Sequence, residues 1–303
     1  MRLDELVAAF LMAKQQTLRG NTRRAYRADL QLFARQFPHL DATAVTADHL
    51  RTFLSTAADR TPATLARRRS ALRSCFSWAQ RTGLLPADPT GLLDAIMLPQ
   101  RTPRPLSTDQ VAALLAVIPA THARNRLLFT LLAETGIRVG EALALHIGDV
   151  RLNDMDGGYL RVVGKGNRER IVPLIDAPRS VRLLRSFLGK QHAIGPLFHG
   201  EVAKGGSYSA PLDYSTVCYH FARYLTLARQ REPGAFATDP APVTIHRLRH
   251  TYATERLRAG VSLAAIRKRL GHQNLQTTLR YADLDLEAVK RELVAARRRQ
   301  QEA

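Results

Sequence analysis

A stretch near the end of the chain, residues 244–281, concentrates side chains that suit phosphate chemistry. His246, Arg249 and His250 follow one another at i, i+3 and i+4, so on a helix they share one face. A guanidinium binds two phosphate oxygens at once, and an imidazole donates a hydrogen bond or moves a proton near neutral pH. Tyr281 carries a phenol, which becomes a nucleophile only where its surroundings activate it. The set suggests phosphate chemistry, although any one of these residues alone is more often an ordinary helix residue.

Two glycines divide this stretch into short helices. Gly260 and Gly271 are predicted to end two consecutive helices, because glycine adopts the left-handed conformation at little cost. His272 follows the second glycine directly, and the threonines at 277–278 offer a cap for a further helix just before Tyr281. Such tight turns would hold the imidazoles, the guanidinium and the phenol in a compact arrangement.

The spacing of His246 and His250 also matches a pair of metal ligands on one helix. The glutamate of the H-E-x-x-H zinc motif is missing, however, and Arg247 and Arg249 lie between the two histidines. Because fixed positive charge disfavours a bound cation, metal binding is the disfavoured interpretation.

Composition indicates a protein with a polyanionic partner. The chain has 303 residues, enough for two domains, with 45 Lys and Arg against 26 Asp and Glu and a formal net charge of +19. This excess favours nucleic acid first and a membrane surface second. No apolar run is long enough to cross a bilayer, and the N-terminus does not resemble a signal peptide. Cys75 and Cys218 are predicted to be reduced core residues, and a cytoplasmic protein is expected.

Apolar residues at helical spacing predict four helices in residues 1–90. The fourth begins at Thr61 and Pro62, a cap followed by a proline at the first helical position. Its outer side is predicted to carry four arginines, Arg67, Arg68, Arg69 and Arg73. No acidic residue lies between Arg60 and Asp88, which favours a phosphate-contacting surface over an ordinary solvated face. This part is predicted to be a small DNA-binding module.

Residues 91–105 are rich in proline and are predicted to form an extended linker. Arg101 and Arg104 add positive charge there, so they are candidates to contact nucleic acid. Residues 106–303 are predicted to be the second domain, whose first helix begins with a capping box that opens at Ser107.

The second domain is predicted to begin with helices near 107–117 and 122–135. The motif T-G-I-R-V-G-E follows, in which Gly136 ends one helix and Arg138 stands at the start of the next. With Glu141 one turn further on, Arg138 is either held in position for chemistry or part of a surface salt bridge, which would contribute little to stability.

A β-hairpin follows this motif. Residues 159–163 alternate as a strand, 164–167 are predicted to be the turn, and 170–174 the returning strand. Lys165 lies at the tip, where lysines are usually only exposed, but a turn placed against a substrate could deliver an ammonium group to it. The remaining predicted elements are helices near 177–190 and 214–231, a loop over 232–242, and an amphipathic helix after Tyr281.

In this order the motifs resemble those of the tyrosine recombinase (phage integrase) family, and most closely its two-domain, Xer-like members. The motifs are T-G-x-R-x-x-E, the G-K-G turn, H-x-L-R-H, and L-G-H followed by T-T-x-x-Y. They contain six residues that match the family's catalytic set: Arg138, Lys165, His246, Arg249, His272 and Tyr281. The resemblance covers nearly the whole chain. One departure is Gln273, where serine is common, and it touches no catalytic position.

The resemblance implies a mainly α fold with a small antiparallel β-sheet. An N-terminal four-helix core-binding (SAM-like) domain would precede an α+β catalytic domain. It also implies a site-specific DNA recombinase that cleaves and rejoins strands through a 3′-phosphotyrosyl intermediate. Tyr281 would attack the scissile phosphate, and Lys165 would protonate the leaving 5′-oxygen.

The remaining matched residues have implied roles as well. Arg138 and Arg249 would hold the non-bridging oxygens and stabilise the transition state. His246 would act as acid and base toward the tyrosine proton, and His272 would donate a hydrogen bond to the phosphate. Because the arginines supply the positive charge, no cofactor is required.

The family also implies partners. The DNA partner would be double-stranded and carry specific recombination sites. The protein would be a monomer or weak dimer when free and a homotetramer in the synaptic complex. It would associate with the nucleoid and not with a membrane. An apolar stripe at Leu286, Val289 and Leu293 is predicted to dock into a neighbouring subunit, or alternatively to pack on its own domain. A type IB topoisomerase and a non-catalytic DNA-binding accessory protein are the alternative functions. Integration and dimer resolution both remain open as the biological role.

Overall fold

The chain folds into two compact units, Met1–Arg101 and Thr102–Ala303. The computed structural model describes residues 1–18, 20–56, 61–99, 104–164, 166–189, 194–200, 211–237, 242–271 and 294. Within these residues helices dominate both units, and a three-stranded antiparallel sheet lies in the second. The predicted fold class, mainly α with a small antiparallel β-sheet, is confirmed.

The first unit is built from helices that bury aromatic residues against one another. Its helices are α1 (Leu3–Ala13), α2 (Gly20–Gln36), α3 (Ala47–Ser55) and α4 (Pro62–Arg81). Phe33 lies at the centre of the core, with ring centroids 5.2 Å from Phe53 and 6.2 Å from Phe76 in edge-to-face geometry. Thr61 caps α4, and Pro62 occupies its first position as predicted.

The arginines of α4 do not form one outward-facing row, so this expectation is wrong for Arg68. Only 3% of Arg68 is exposed, and its guanidinium lies 4.9 Å from the centre of the Phe53 ring. Its Nε atom is 3.7 Å from the carboxylate of Asp29, which also pairs with Arg67. A buried carboxylate needs positive partners, so Arg67 and Arg68 point from α4 toward Asp29 of α2.

The other two arginines of this group differ from each other. Arg69 donates a 2.7 Å hydrogen bond to the carbonyl of Leu93, which is itself buried in the core of the first unit. Arg73 is exposed. Chain that lies in the predicted linker therefore packs against α4 as far as Leu93, while residues 94–99 have no regular structure.

The second unit wraps helices around a small sheet. Its elements are α5 (Thr108–Ala116), α6 (Ala123–Thr135), α7 (Val139–Leu143), β1 (Val150–Arg151), β2 (Tyr159–Val163), β3 (Glu169–Pro173), α8 (Pro178–Leu188), α9 (Tyr214–Arg231), α10 (Pro233–Phe236), α11 (His246–Arg258) and α12 (Leu263–Leu270). The strand order is β1-β2-β3, and Val163 pairs with Glu169 across the predicted hairpin. Alternate residues Leu160, Val162 and Val172 enter the core.

The predicted loop over residues 232–242 is wrong in its first part, which forms the short helix α10. Pro233 occupies the first helical position, where its fixed backbone angle suits a helix start. Phe236 is buried, and the guanidinium of Arg229 lies 5.8 Å from the centre of its ring. Burial of this aromatic ring gives the segment a reason to stay helical.

Three glycines end helices where the sequence predicts. Gly136 and Gly271 adopt φ angles of 63° and 65° at the C-caps of α6 and α12, and Gly260 follows α11 at φ 84°. These values are in the left-handed region that favours glycine. The turns set the directions in which the chain enters and leaves the motifs singled out above.

Two predictions from composition concern the cysteines and membranes. Both cysteines are free thiols; Cys75 is buried, and Cys218 is partly buried against the core of the second unit. Across the described ranges, no helix is both long enough and apolar enough to cross a membrane.

Candidate active site

Helix α11 presents His246 and His250 together at its N-terminal end. Their rings lie edge to face, with centroids 4.7 Å apart. His246 is open to solvent at its edge, yet surrounding protein lowers its pKa, and the positive charges of Arg249 and Arg138 lower it further. The structure thus brings Arg138, His246 and Arg249 to one place. No group of three or more His, Cys, Asp or Glu side chains that could hold a metal ion occurs in the described part of the chain.

Arg249 ties two helix ends to α11. Only 3% of it is exposed, and it donates 2.6 Å hydrogen bonds to the carbonyls of Gly136 and Leu270. These carbonyls lie at the C-terminal ends of α6 and α12, where no partner exists within the helix. A charged donor satisfies them strongly. Arg249 therefore holds the chain just before Arg138 and just before Gly271.

Glu141 holds Arg138 at the start of α7 by accepting hydrogen bonds from both its backbone and its side chain. The backbone N–H of Arg138 donates to Glu141 Oε2 and its Nη1 to Oε1, both at 2.8 Å. Arg170 on β3 donates to the same two oxygens at 3.0 and 2.8 Å. Burial raises the pKa of Glu141, but bonds from Arg170 and Arg138 outweigh that effect and lower it to about 2. The buried carboxylate with two arginines is not the surface salt bridge considered as an alternative.

Three of the six predicted site residues, Lys165, His272 and Tyr281, lie outside the described residues, as does Arg101. The residues that precede two of them, Gly164 and Gly271, belong to the described chain. Gly164, before Lys165, donates its N–H to the carbonyl of Arg168 at 2.8 Å and so closes the hairpin. Gly271, before His272, has the left-handed conformation of a helix end. The predicted roles of these residues stay predictions.

Arg247 is a residue whose structural task was not predicted. Its Nε donates to the carbonyl of Arg104 at 2.8 Å, and its Nη2 to that of Pro105 at 3.2 Å. One turn further along α11, Thr251 Oγ1 accepts a 2.7 Å bond from the N–H of Leu106. The chain that enters the second unit is thus fastened to the helix that carries His246.

Asp176, between β3 and α8, is a second residue that was missed. Its carboxylate accepts hydrogen bonds from the Tyr252 hydroxyl at 3.2 Å, from Arg256 at 3.4 Å and from Arg269 at 2.5 Å. Both guanidinium groups also lie within 6 Å of the centre of the Tyr252 ring, at 5.6 and 5.2 Å. Asp176 therefore joins α11 to α12 and fixes the two helices that lead toward His272.

Comparison with known families decides what this chain is. The family described as "Phage integrase family" matches residues 104–287, and "Phage integrase, N-terminal SAM-like domain" matches residues 9–83. The chain belongs to the phage integrase family. The predicted resemblance and the SAM-like character of the first unit are both confirmed.

Relatives of this integrase-family chain are named as tyrosine recombinases. Tyrosine recombinase XerC of Rhodospirillum centenum is 35% identical over 283 residues, covering 88% of this chain and 78% of the relative. Tyrosine recombinase XerD of Yersinia pestis is 32% identical over 300 residues, covering 95% of each chain. The similarity to this XerD therefore extends over nearly the whole length of both chains.

Solved structures share the integrase fold at lower identity. XerH bound to difH substrate in a pre-cleavage complex has a TM-score of 0.70 at 20% identity, covering 95% of this chain and 93% of that chain. A lambda integrase tetramer bound to a Holliday junction has a TM-score of 0.70 at 18% identity, covering 90% and 78%. At these identities the likeness concerns the fold.

Proposed function

We propose that this integrase-family chain is a site-specific DNA recombinase that cleaves and rejoins strands through a 3′-phosphotyrosyl intermediate. The observation that carries the proposal is that three members of the matched catalytic set lie together. Arg249, on the same helix as His246, binds the carbonyl of Gly136 two residues before Arg138, and both arginines lower the pKa of His246. Two guanidinium groups beside one imidazole suit a phosphate that gains charge in the transition state. The net charge of +19 supports double-stranded DNA as the partner.

In the proposed reaction, the phenol oxygen of Tyr281 forms a bond to the scissile phosphorus as the bond from phosphorus to the 5′-oxygen breaks. Lys165 gives a proton to the leaving oxygen, and His246 accepts the proton of the phenol. The lowered pKa of His246 supports this role, because it favours the neutral imidazole that accepts a proton near pH 7.

Arg138 and Arg249 contribute differently to the proposed site. Arg138 is exposed over 39% of its side chain and is held by Glu141, so it would meet an incoming phosphate in a fixed position. Arg249 is buried and first fixes the backbone on both sides of the site, so its contact with a non-bridging oxygen requires an edge of the guanidinium to become accessible. His272 would complete the set of hydrogen-bond donors.

The proposed reaction needs no nucleotide or cofactor. The energy of the broken phosphodiester is kept in the phosphotyrosine, and a 5′-hydroxyl reverses the step. Two DNA sites and four subunits would form the synaptic complex on the nucleoid, with the stripe of Leu286, Val289 and Leu293, outside the described residues, docking into a neighbour. The DNA-bound complexes of the similarly folded proteins named above support this arrangement.

The test is a covalent trap. The protein is incubated with a library of nicked duplexes, in which the fragment beyond the cut diffuses away, and DNA that stays attached after denaturation is sequenced. We expect one recovered site with wild-type protein. The matched variant Tyr281→Phe should bind the same site and form no adduct. An adduct formed by Tyr281→Phe would show that another residue is the nucleophile.

Assays with the recovered DNA site distinguish the proposed function from the alternatives. No adduct with any duplex would favour a DNA-binding accessory protein. Relaxation of supercoiled DNA without recombinant junctions, and without preference for the recovered site, would favour a type IB topoisomerase. Recombinant junctions between two copies of the site are the outcome that the proposal expects.

Among the described arginines that the sequence singles out for DNA contacts, Arg73 and Arg104 are exposed and are the better candidates. Arg67 and Arg69 are partly buried and bonded within the first unit. Replacing Arg73 or Arg104 by Ala should weaken binding and reduce its dependence on salt, as loss of a phosphate contact does. An unchanged salt dependence would remove that residue from the interface.

A further inference from the structure

Arg170 occupies an unusual place for an arginine on a strand. On β3 it shares a face with the buried Val172, while Ile171 between them is exposed. Its side chain is 14% exposed, and each of its three nitrogens donates a hydrogen bond. Nη1 and Nη2 donate to the two oxygens of Glu141, and Nε donates to the carbonyl of Arg269 at 2.9 Å.

We propose that Arg170 is a positioning residue for strand cleavage, which holds Arg138 through Glu141 and locks the chain leading into Lys165 against the chain leading into His272. This inference rests on the proposed recombinase function. It adds a seventh side chain to the six matched by the family motifs. Arg170 contacts none of the reacting atoms in this proposal and acts only through its neighbours.

Gly164 and Gly271 lie beside Arg170, which supports its proposed role in linking the chain before Lys165 to the chain before His272. A Cβ added at Gly164, the residue before Lys165, would lie 3.4 Å from Arg170 Nη1 and 3.6 Å from Glu141 Oε1. A Cβ added at Gly271, the residue before His272, would lie 3.2 Å from Arg170 Cζ. The guanidinium plane is therefore in close contact with both turns. We therefore expect a displacement of Arg170 to shift the backbone next to both predicted catalytic side chains.

The end of α12 is held from two sides. Arg170 donates a hydrogen bond to the carbonyl of Arg269, and Arg249 donates one to the carbonyl of the next residue, Leu270. Arg249 also donates a hydrogen bond to the carbonyl of Gly136, two residues before Arg138. The two arginines thus join the start of α7, the hairpin and the end of α12 into one hydrogen-bonded ring around the site.

Only arginine can satisfy this arrangement. A guanidinium has its donors in a fixed planar fork, which binds a carboxylate with two parallel bonds and still presents Nε to a third acceptor. A lysine ammonium at the same place is a point charge on a flexible stem. Arg170→Lys would keep the charge beside Glu141 but lose the fixed relation between the carboxylate and the carbonyl of Arg269.

Loss of the charge has an additional, measurable effect. Within the described ranges, the charged groups in contact with Glu141 are Arg138 from the start of its own helix and Arg170 from β3, and the charge of Arg138 also acts on His246 of α11. Without Arg170, fewer positive partners oppose the burial of Glu141, so its pKa should rise. A neutral Glu141 would no longer hold Arg138, so cleavage should fail at a higher pH than in the wild type.

The experiment measures single-turnover cleavage of the duplex recovered by the covalent trap, with Arg170→Lys, Arg170→Met and the control Arg161→Met. Arg161 lies on the neighbouring strand β2 and forms an exposed ion pair with Asp149, so it tests loss of an arginine from the same sheet. We expect both Arg170 variants to cleave about a hundredfold more slowly, the effect of roughly 1 Å of misplacement, with nearly unchanged DNA affinity. The control should cleave like the wild type.

Three further readouts decide the outcome. Thermal unfolding shows whether Arg170→Met is folded, and if it is not, Arg170→Lys carries the test. The acid limb of the rate profile should move to higher pH in Arg170→Met, and the added change Glu141→Gln should abolish this movement. Wild-type cleavage rates in the folded Arg170 variants, with an unmoved acid limb in Arg170→Met, would overturn this inference and leave the proposed function standing. Absence of an adduct with wild-type protein would instead overturn the proposed function.

Discussion

Replacement of Gly136 by alanine should destabilise the second unit for two separate reasons. Gly136 has a φ angle of 63°, and a Cβ added there would lie 2.5 Å from Tyr252 Cδ1 and 2.9 Å from Leu270 Cδ2. Left-handed backbone costs an alanine about 1–2 kcal/mol, and overpacking of a well-packed core costs about 1–3 kcal/mol more. The expected loss for Gly136→Ala is therefore about 2–5 kcal/mol.

Gly260→Ala is the matched control because it carries only the first of these penalties. Gly260 has a φ angle of 84°, and nothing lies within 4 Å of an added Cβ. Both glycines are in the second unit, so both variants are compared on the same unfolding transition. The expected excess loss in Gly136→Ala is the overpacking share, about 1–3 kcal/mol.

Thermal unfolding of the 303-residue chain measures this difference. For a unit of this size, 1 kcal/mol shifts Tm by about 2–4 °C, so Gly136→Ala should melt roughly 2–12 °C below Gly260→Ala. The single-turnover cleavage rate should fall as well, because Arg249 binds the carbonyl of Gly136. Equal Tm values for the two variants would refute the reasoning, since they would mean that Tyr252 and Leu270 yield to the added methyl group without cost.

Two further predictions concern charge. The pKa of Glu141 falls from 4.5 to about 2 on folding, so its stabilising contribution is present above pH 4.5 and is lost as pH falls towards 2. In urea unfolding at pH 7, the free energy of unfolding of Glu141→Gln should be lower than that of wild type by about 3 kcal/mol. This difference should narrow below pH 4. A difference that does not change with pH would contradict the lowered pKa of Glu141. Lys165→Ala should cleave slowly, and a substrate with sulfur at the 5′-bridging position, whose leaving group needs no proton, should restore the rate. Failure of the rescue would leave Lys165 as a phosphate or base contact.

Local signals in the sequence were sufficient for the family and for most of the elements, although α10 and the short strand β1 were not predicted. Ser107 caps α5 and accepts from the N–H of Gln110 as its capping box predicts, because both partners lie within one turn. Gly136 and Gly271 end their helices for a reason contained in a single residue, the absence of a Cβ. The order of the motifs, from T-G-x-R-x-x-E to L-G-H, identified the family without knowledge of any contact.

Which side chains of a helix or strand are buried, and which residues they contact, is harder to predict from the local sequence. Arg68 follows Arg67 in an uninterrupted basic run, yet it is buried, because Asp29 of another helix and the ring of Phe53 surround it. One signal was available for Arg170, since it is two residues from Val172 on a strand and alternation places both on the core face. Period-two alternation predicts that burial but not which carboxylate receives the guanidinium.

What tertiary structure alone decided is the set of long-range bonds that place the site. Arg170 binds a carbonyl 99 residues further along the chain, and Arg247 binds one 143 residues earlier. Arg249 likewise belongs to a recognisable motif, but only folding directs it to the carbonyls of Gly136 and Leu270. A helix end leaves carbonyls without partners wherever it occurs, and which donor satisfies them depends on packing of the whole unit. The sequence therefore determined the residue types, the local turns and the family, whereas the fold determined which residues hold the reactive ones in place.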